Sequence, residues 1–145
     1  MAHTTQFDPC RSQMKKEDVM NKPVNATDVK SRKHIPNIKI SQEDDKYQIS
    51  IAVGNGSAHP NTNMHHIAWI KVYFHPSEER FPCMIGKFDF TAHGVLDTGV
   101  NLGAIYTHPE VVCFLRTGKP GTILASSYCN VHGVWSGTAE LGNLN

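Results

Sequence analysis

Apolar and polar positions alternate with a period of two over much of this chain. The clearest case covers residues 47–53, where Tyr47, Ile49, Ile51 and Val53 are separated by Gln48, Ser50 and Ala52. Period two places the four apolar side chains on one face of a β-strand. Further β-prone runs cover residues 66–74, 88–91, 111–115 and 123–128.

The run at residues 66–74 is apolar or aromatic except for Lys71, and we take it as a strand buried on both faces. Glycine-containing turn signals separate the runs, at residues 54–56, 94, 118–121 and 133. No amphipathic helix of useful length interrupts them. Short strands at frequent spacing predict an all-β fold, an antiparallel β-sandwich.

The 145 residues are enough for one ordinary domain with its own core. Residues 1–27 are polar and contain the breakers Pro9 and Pro23, so we expect an N-terminal extension that is partly mobile. The β-sandwich domain is then expected to cover residues 28–145.

Charge and composition exclude several functions. Fourteen Lys and Arg against thirteen Asp and Glu leave a net charge of +1, without the basic stripe that nucleic-acid binding needs. No apolar run approaches the roughly 20 residues of a membrane span, and residues 1–8 lack the apolar segment of a secretory signal. We therefore expect a cytoplasmic protein. The four scattered cysteines (Cys10, Cys83, Cys113 and Cys129) predict free thiols and exclude a Cys₄ iron centre within the chain.

The candidate chemistry lies in the nine histidines and one of the cysteines. Cys129 and His132 are three residues apart, next to a turn signal at Gly133 that would let both side chains reach one ion. His59 and His65 flank a turn-forming loop. One soft sulfur among neutral nitrogens is typical of a redox-active transition metal rather than calcium or magnesium. The pattern favours a mononuclear iron protein. Spacing does not decide whether His65 or the adjacent His66 faces the metal.

Two other classes of protein use similar residues. A cupredoxin-like electron carrier binds copper through two histidines and a cysteine, usually with a methionine shortly after. Residues 133–145 contain no methionine, and two histidine motifs would have no role. A structural zinc domain would normally have closed Cys/His spacings, which this chain lacks.

Four motifs together resemble superoxide reductases of the one-iron neelaredoxin class. They are K-H-I-P at residues 33–36, H-P-N at 59–61, H-H-I-A-W-I at 65–70 and C-N-V-H-G-V-W at 129–135. The resemblance extends from about Asp28 to the C-terminus. It implies an immunoglobulin-like sandwich of about seven strands, a homotetramer, and an external electron donor such as rubredoxin.

The same resemblance implies the site. Its equatorial iron ligands would be His34, His59, His65 and His132, with Cys129 as the axial ligand and an open face for superoxide. The reaction would be one-electron reduction of superoxide to hydrogen peroxide. Lys33, beside the first ligand, would steer the anion and order a proton-donating water. Backbone N–H groups just after Cys129 are expected to donate to its sulfur.

One residue departs from the family pattern. Most members have a glutamate two residues before the first histidine ligand, where this chain has Arg32. An arginine has no lone pair to donate and stays protonated. We therefore expect a ferric site that is open or binds water or hydroxide.

Overall fold

The computed structural model describes residues 29–54, 56–96, 99–100 and 103–142; the predicted extension over residues 1–27 lies outside them. This part of the chain forms one short helix followed by β-strands. In chain order the elements are α1 (Val29–His34), β1 (Asn37–Glu43), β2 (Lys46–Ala52), β3 (Ile67–Pro76), β4 (Cys83–Asp89), β5 (Val95–Leu96), β6 (Gly99–Val100), β7 (Glu110–Leu115), β8 (Gly121–Cys129) and β9 (Gly133–Leu141).

Seven of the described strands form two antiparallel sheets, which confirms the predicted all-β sandwich. One sheet has the order β1-β2-β7 and the other β4-β3-β8-β9, while β5 and β6 form a separate two-stranded ribbon. The core lies between the two sheets. Its fully buried side chains come from both of them and include Ile49, Ile51, Ile70, Val72 and Ile123.

Two strands show how the period-two pattern fills this core. On β2, Tyr47, Ile49 and Ile51 are buried while the residues between them are half-buried, as the alternation predicts. On β8, the same alternation continues to the end of the strand and places Cys129 on the core face, where it is 0% exposed. The sulfur therefore lies at the end of the hydrophobic core and not on the surface.

The prediction that residues 66–74 are buried on both faces is wrong. On β3, Ile67, Ile70 and Val72 are buried, whereas the outward-facing residues are half-buried. The register against β8 shifts between Ile67 and Trp69, and this irregularity lets Ile67 and Ile70 both point inward. The outer face is apolar because Trp69 stacks on Tyr128, with ring centroids 5.6 Å apart.

The turn between β8 and β9 occupies residues 130–132, and Cys129 pairs with Gly133 across it. Gly133 has φ of +81°, which a glycine adopts without steric cost. The predicted turn is confirmed. Because the chain reverses here, Cys129 and His132 no longer alternate between faces as they would on a straight strand.

Helix α1 ends at His34, two residues before Pro36. Proline disfavours the helical conformation in the residue before it, and Arg32, Lys33 and His34 complement the helix dipole in its last turn. Lys33 thus lies in the last turn of this helix. Within the described residues, no helix is long and apolar enough to cross a membrane.

Candidate metal centre

Four histidine rings form a closed circuit at one end of the sandwich. The ring centroids are 4.7 Å apart for His34 and His59, 4.8 Å for His59 and His65, 5.1 Å for His65 and His132, and 4.9 Å for His132 and His34. Each ring meets the next edge to face, at interplanar angles between 65° and 84°. The three predicted histidine motifs therefore converge, together with the histidine of the Cys-x-x-His motif.

The donor atoms of these rings point toward one another. His34 Nε2 is 3.2 Å from His59 Nε2 and 3.1 Å from His132 Nδ1. One donor atom each from His34, His59, His65 and Cys129 lies within 4.8 Å of the others. Cys129 Sγ is 3.7 Å from His132 Nδ1. A sequence does not show which ring nitrogen of a histidine faces a metal. In the structure, Nε2 of His34 lies beside Nε2 of His59 and Nδ1 of His132.

The tautomer of His59 is set by its neighbour in the chain. His59 Nδ1 lies 2.7 Å from the Pro60 carbonyl oxygen, so this nitrogen carries the proton and donates it. Its Nε2 then has a free lone pair that faces the other rings. Burial lowers the pKa of His59 to about 4, with the Pro60 carbonyl opposing and the other three rings adding to the shift. His59 is therefore neutral at pH 7.

His65 has a buried ring nitrogen without a protein partner. Among the described residues, no group hydrogen-bonds His65 Nε2. Burial lowers the pKa of His65, and the nearby charges of His132, His66 and Lys33 lower it further. An unpaired buried nitrogen costs free energy unless something binds it. A metal ion at the centre of the four rings would do so.

Cys129 lies beneath the rings, and one backbone group donates to it. The His132 N–H group is 3.3 Å from Cys129 Sγ, which confirms the expected donation from the residues that follow the cysteine. Cys129 is fully buried whereas His132 is exposed, so the cluster extends from the core to the solvent.

His34 is held from two sides by residues of β8 and β9. The buried Ser127 hydroxyl donates to the His34 carbonyl oxygen at 2.8 Å. The Trp135 ring stacks on the imidazole, with centroids 4.8 Å apart and an interplanar angle of 21°. Trp135 thus forms a wall of the site. Ser127 was not predicted, because one serine in a β-strand gives no sequence signal.

The loop between His59 and His65 folds back on itself. The Thr62 N–H donates to the His65 carbonyl at 2.9 Å, and the Thr62 hydroxyl accepts from the His65 N–H at 3.0 Å. The Asn61 side-chain amide donates to the Thr107 carbonyl oxygen, outside the loop, at 2.9 Å. The predicted loop therefore does bring both imidazoles to one place.

His65, and not His66, belongs to the circuit of rings. The His66 ring stacks on His93 with centroids 3.6 Å apart, and its Nδ1 donates to the Thr62 carbonyl at 2.9 Å. His93 is buried and within hydrogen-bonding distance of Asn61 Oδ1 and the Phe90 carbonyl. These contacts agree with structural roles for His66 and His93.

The donor set fits a transition metal. Two nitrogens bound at right angles to one ion, each about 2.1 Å away, lie about 3.0 Å apart. The separations of 3.1 and 3.2 Å are close to that value. Neutral imidazoles with one sulfur suit iron, copper or zinc and do not suit calcium or magnesium. The residues present can therefore hold such an ion.

Comparison with known proteins places these observations in a family. The desulfoferrodoxin family model matches residues 26–138. A superoxide reductase of Pyrococcus horikoshii is 37% identical over 123 residues, which are 85% of this chain and 99% of that protein. A neelaredoxin of Megalodesulfovibrio gigas is 41% identical over 111 residues, 74% of this chain and 85% of that protein.

The fold agrees with solved structures of similar proteins. A superoxide reductase (neelaredoxin) from Archaeoglobus fulgidus in the reduced form superposes with a TM-score of 0.75 at 40% identity, covering 81% of this chain and 95% of that one. A protein of Thermotoga maritima named "putative superoxide reductase" gives a TM-score of 0.79 at 38% identity, covering 92% of this chain and all of that one. The sequence match and the shared fold together show that this chain belongs to the desulfoferrodoxin family.

Proposed function

We propose that this protein is a superoxide reductase, which reduces superoxide by one electron to hydrogen peroxide. The observation that carries the proposal is the closed circuit of four histidine rings above a buried cysteine. Membership of the desulfoferrodoxin family supports it. Each turnover consumes one superoxide anion, one electron and two protons, and gives one hydrogen peroxide.

The residues that would hold iron are His34, His59, His65, His132 and Cys129. When bound there, iron supplies the electron and alternates between the ferrous and ferric states. Burial keeps His59 neutral at pH 7. Its Nε2 atom can therefore bind a metal ion without first losing a proton. The His132 N–H group stabilises negative charge on Cys129 Sγ and thereby tunes how strongly the sulfur donates electrons.

Lys33 would attract the substrate anion. Its ammonium charge is near enough to lower the pKa of His65. A positive charge beside an otherwise neutral ring cluster raises the local concentration of a small anion and its association rate. We therefore propose that Lys33 steers superoxide and helps to deliver protons to the product.

Arg32 adds a second positive charge on the same helix and is exposed to solvent. It replaces the glutamate expected from the family and cannot bind iron. We expect the ferric protein to bind a small anion such as azide more readily than its Arg32→Glu variant does. A ferric spectrum typical of a carboxylate ligand at every pH would contradict this expectation.

The partners and location remain parts of the proposal. A small electron-transfer protein such as rubredoxin would return the electron after each turnover. The resemblance to neelaredoxins supports a homotetramer, which analytical ultracentrifugation would test. Dispersed cysteines suit a reducing cytoplasm, and cell fractionation would test that location.

The decisive experiment mixes the iron-loaded, reduced protein rapidly with superoxide. We expect one oxidised site and one hydrogen peroxide per superoxide, without dioxygen. Cys129→Ala should abolish the reaction, whereas Cys83→Ala, which removes an exposed thiol elsewhere, should not. Dioxygen in equal amount to peroxide would indicate dismutation and would refute the proposal.

The role of Lys33 is tested by the rate of the same reaction. We expect Lys33→Ala to slow association several-fold, mainly at low ionic strength, because salt screens the attraction between the lysine charge and the approaching anion. The matched control is Lys87→Ala, which removes an exposed lysine of β4. Equal rates for both variants would exclude steering by Lys33.

Metal analysis separates this function from the cupredoxin-like alternative. A copper electron carrier needs two histidines and one cysteine, and the additional two rings of the circuit would be superfluous. We expect iron in the purified protein, at one ion per chain. Copper at that ratio, together with reversible electron transfer and no reaction with superoxide, would favour the alternative.

A further inference from the structure

The Asn130 side chain connects the turn after Cys129 to the loop that carries His65. Its Oδ1 accepts from the His66 N–H at 2.8 Å, and its Nδ2 donates to the Met64 carbonyl oxygen at 3.0 Å. Met64 and His66 are the residues immediately before and after His65. One amide group therefore holds the backbone on both sides of His65.

A backbone bond strengthens this connection. The Asn130 N–H donates to the His66 carbonyl at 3.2 Å, next to the pair Ile67–Cys129 that ends the β3–β8 ladder. The loop and the turn are thus joined by three hydrogen bonds through one residue. The two side-chain bonds need a side chain that both accepts and donates, as an amide does.

Two other sets of bonds in this loop join partners other than Cys129. The bonds between Thr62 and His65 join two residues of the same loop, so they shape it without fixing its place. Asn61 ties the loop to the carbonyl oxygen of Thr107. Within the part of the chain that the structure describes, the buried His65 Nε2 has no hydrogen-bond partner. The position of this ring relative to the sulfur therefore depends on its backbone anchors.

We propose that Asn130 is a positioning residue that sets His65 relative to Cys129 and His132. It acts on the metal site through the backbone of residues 64–66 and touches neither metal nor substrate. The inference rests on the proposed function only in taking this cluster as the metal site. It gives the second position of the Cys-Asn-Val-His motif a physical role.

Two variants separate the two halves of the contact. Asn130→Ala removes both side-chain bonds, and Asn130→Asp keeps an acceptor for the His66 N–H but loses the donor to Met64. Asn130 does not have a positive φ, so alanine is compatible with its backbone. The matched control is Val131→Ala, an exposed position in the same turn.

The first measurement uses the metal-free protein, by NMR-detected amide hydrogen exchange. In Asn130→Ala we expect the His66 amide to exchange at least about ten-fold faster, while in Asn130→Asp it stays protected. The second measures iron affinity, the visible absorption of the ferric protein and its reduction potential. Asn130→Ala should weaken iron binding by about 10–100-fold and change the spectrum and potential. Val131→Ala should match the wild type in all of these.

Wild-type spectrum, potential and iron affinity in Asn130→Ala would overturn the proposal. If Asn130→Ala fails to fold, Asn130→Asp decides: a changed spectrum supports the proposal, and a wild-type spectrum and affinity refute it. A wild-type protein that binds iron but does not react with superoxide would refute the proposed function alone, because the effects of Asn130 on the metal site would persist.

Discussion

Acid should destabilise the metal-free protein through its buried histidines, and His59 gives the clearest case. Its side chain is 9% exposed and packs against the imidazoles of His34 and His65. Burial lowers its pKa from 6.5 to about 4 in the folded protein, whereas in the unfolded chain it returns to the ordinary value. The unfolded state therefore binds a proton at a higher pH than the folded state does.

The pH range and the size of the effect follow from this difference. Above pH 6.5 His59 is neutral in both states, so its contribution to stability is fully present. Between pH 6.5 and 4 the unfolded state is protonated first, and stability falls as the pH falls. A pKa difference between 6.5 and about 4 corresponds to about 3 kcal/mol at most. Burial lowers the pKa of His65 too, which adds to the loss.

Urea unfolding of the metal-free protein, with a reductant and at several pH values from 7.5 to 4.5, measures this effect. The free energy of unfolding should fall more steeply in the wild type than in His59→Gln, with a difference of about 2–3 kcal/mol over the range. His108→Gln, which removes an exposed histidine, is the matched control and should keep the wild-type slope. Parallel slopes for the wild type and His59→Gln would refute the reasoning.

Two further predictions concern contacts that hold the first histidine motif. A Cβ at Gly137 would lie 2.4 Å from the Pro36 carbonyl oxygen, whereas nothing lies within 4 Å at Gly118. Gly137→Ala should therefore lower the melting temperature and weaken iron binding while Gly118→Ala leaves both almost unchanged; equal effects would contradict this. Ser127→Ala leaves the His34 carbonyl without this donor and should cost about 1–3 kcal/mol in urea unfolding. An unchanged free energy of unfolding would show that water replaces the hydroxyl.

The sheets were predictable from sequence because alternation follows directly from burial on one face. Residues 47–53 alternate strictly and all but Val53 fall on β2, and the β-prone run at residues 123–128 forms part of β8. The exception is residues 66–74. This strand buries only one face in the core, but aromatic residues on its outer face led to the prediction that both faces are buried. Ring stacking between Trp69 and Tyr128 is a contact between strands, which a local pattern does not contain.

The candidate site was only partly predictable. Local turns bring Cys129 to His132 and His59 to His65, and turns have clear sequence signals. The meeting of these two pairs with His34 depends on how three distant segments pack, and came from the family resemblance. Ser127 and Asn130 act through backbone carbonyl and amide groups. Such contacts leave no pattern in the sequence, because any backbone presents the same groups.

The arrangement of the donors explains why the sandwich would bind metal with little rearrangement. His34 Nε2 already lies 3.1 and 3.2 Å from its two neighbouring donor nitrogens, near the spacing that one ion imposes. Holding these lone pairs together without a metal costs free energy, since burial leaves His65 Nε2 without a protein partner in the described chain. Metal binding removes that cost. Bound metal should therefore stabilise the fold, and this stabilisation should weaken as the pH falls, because protons compete with the metal for the same nitrogens.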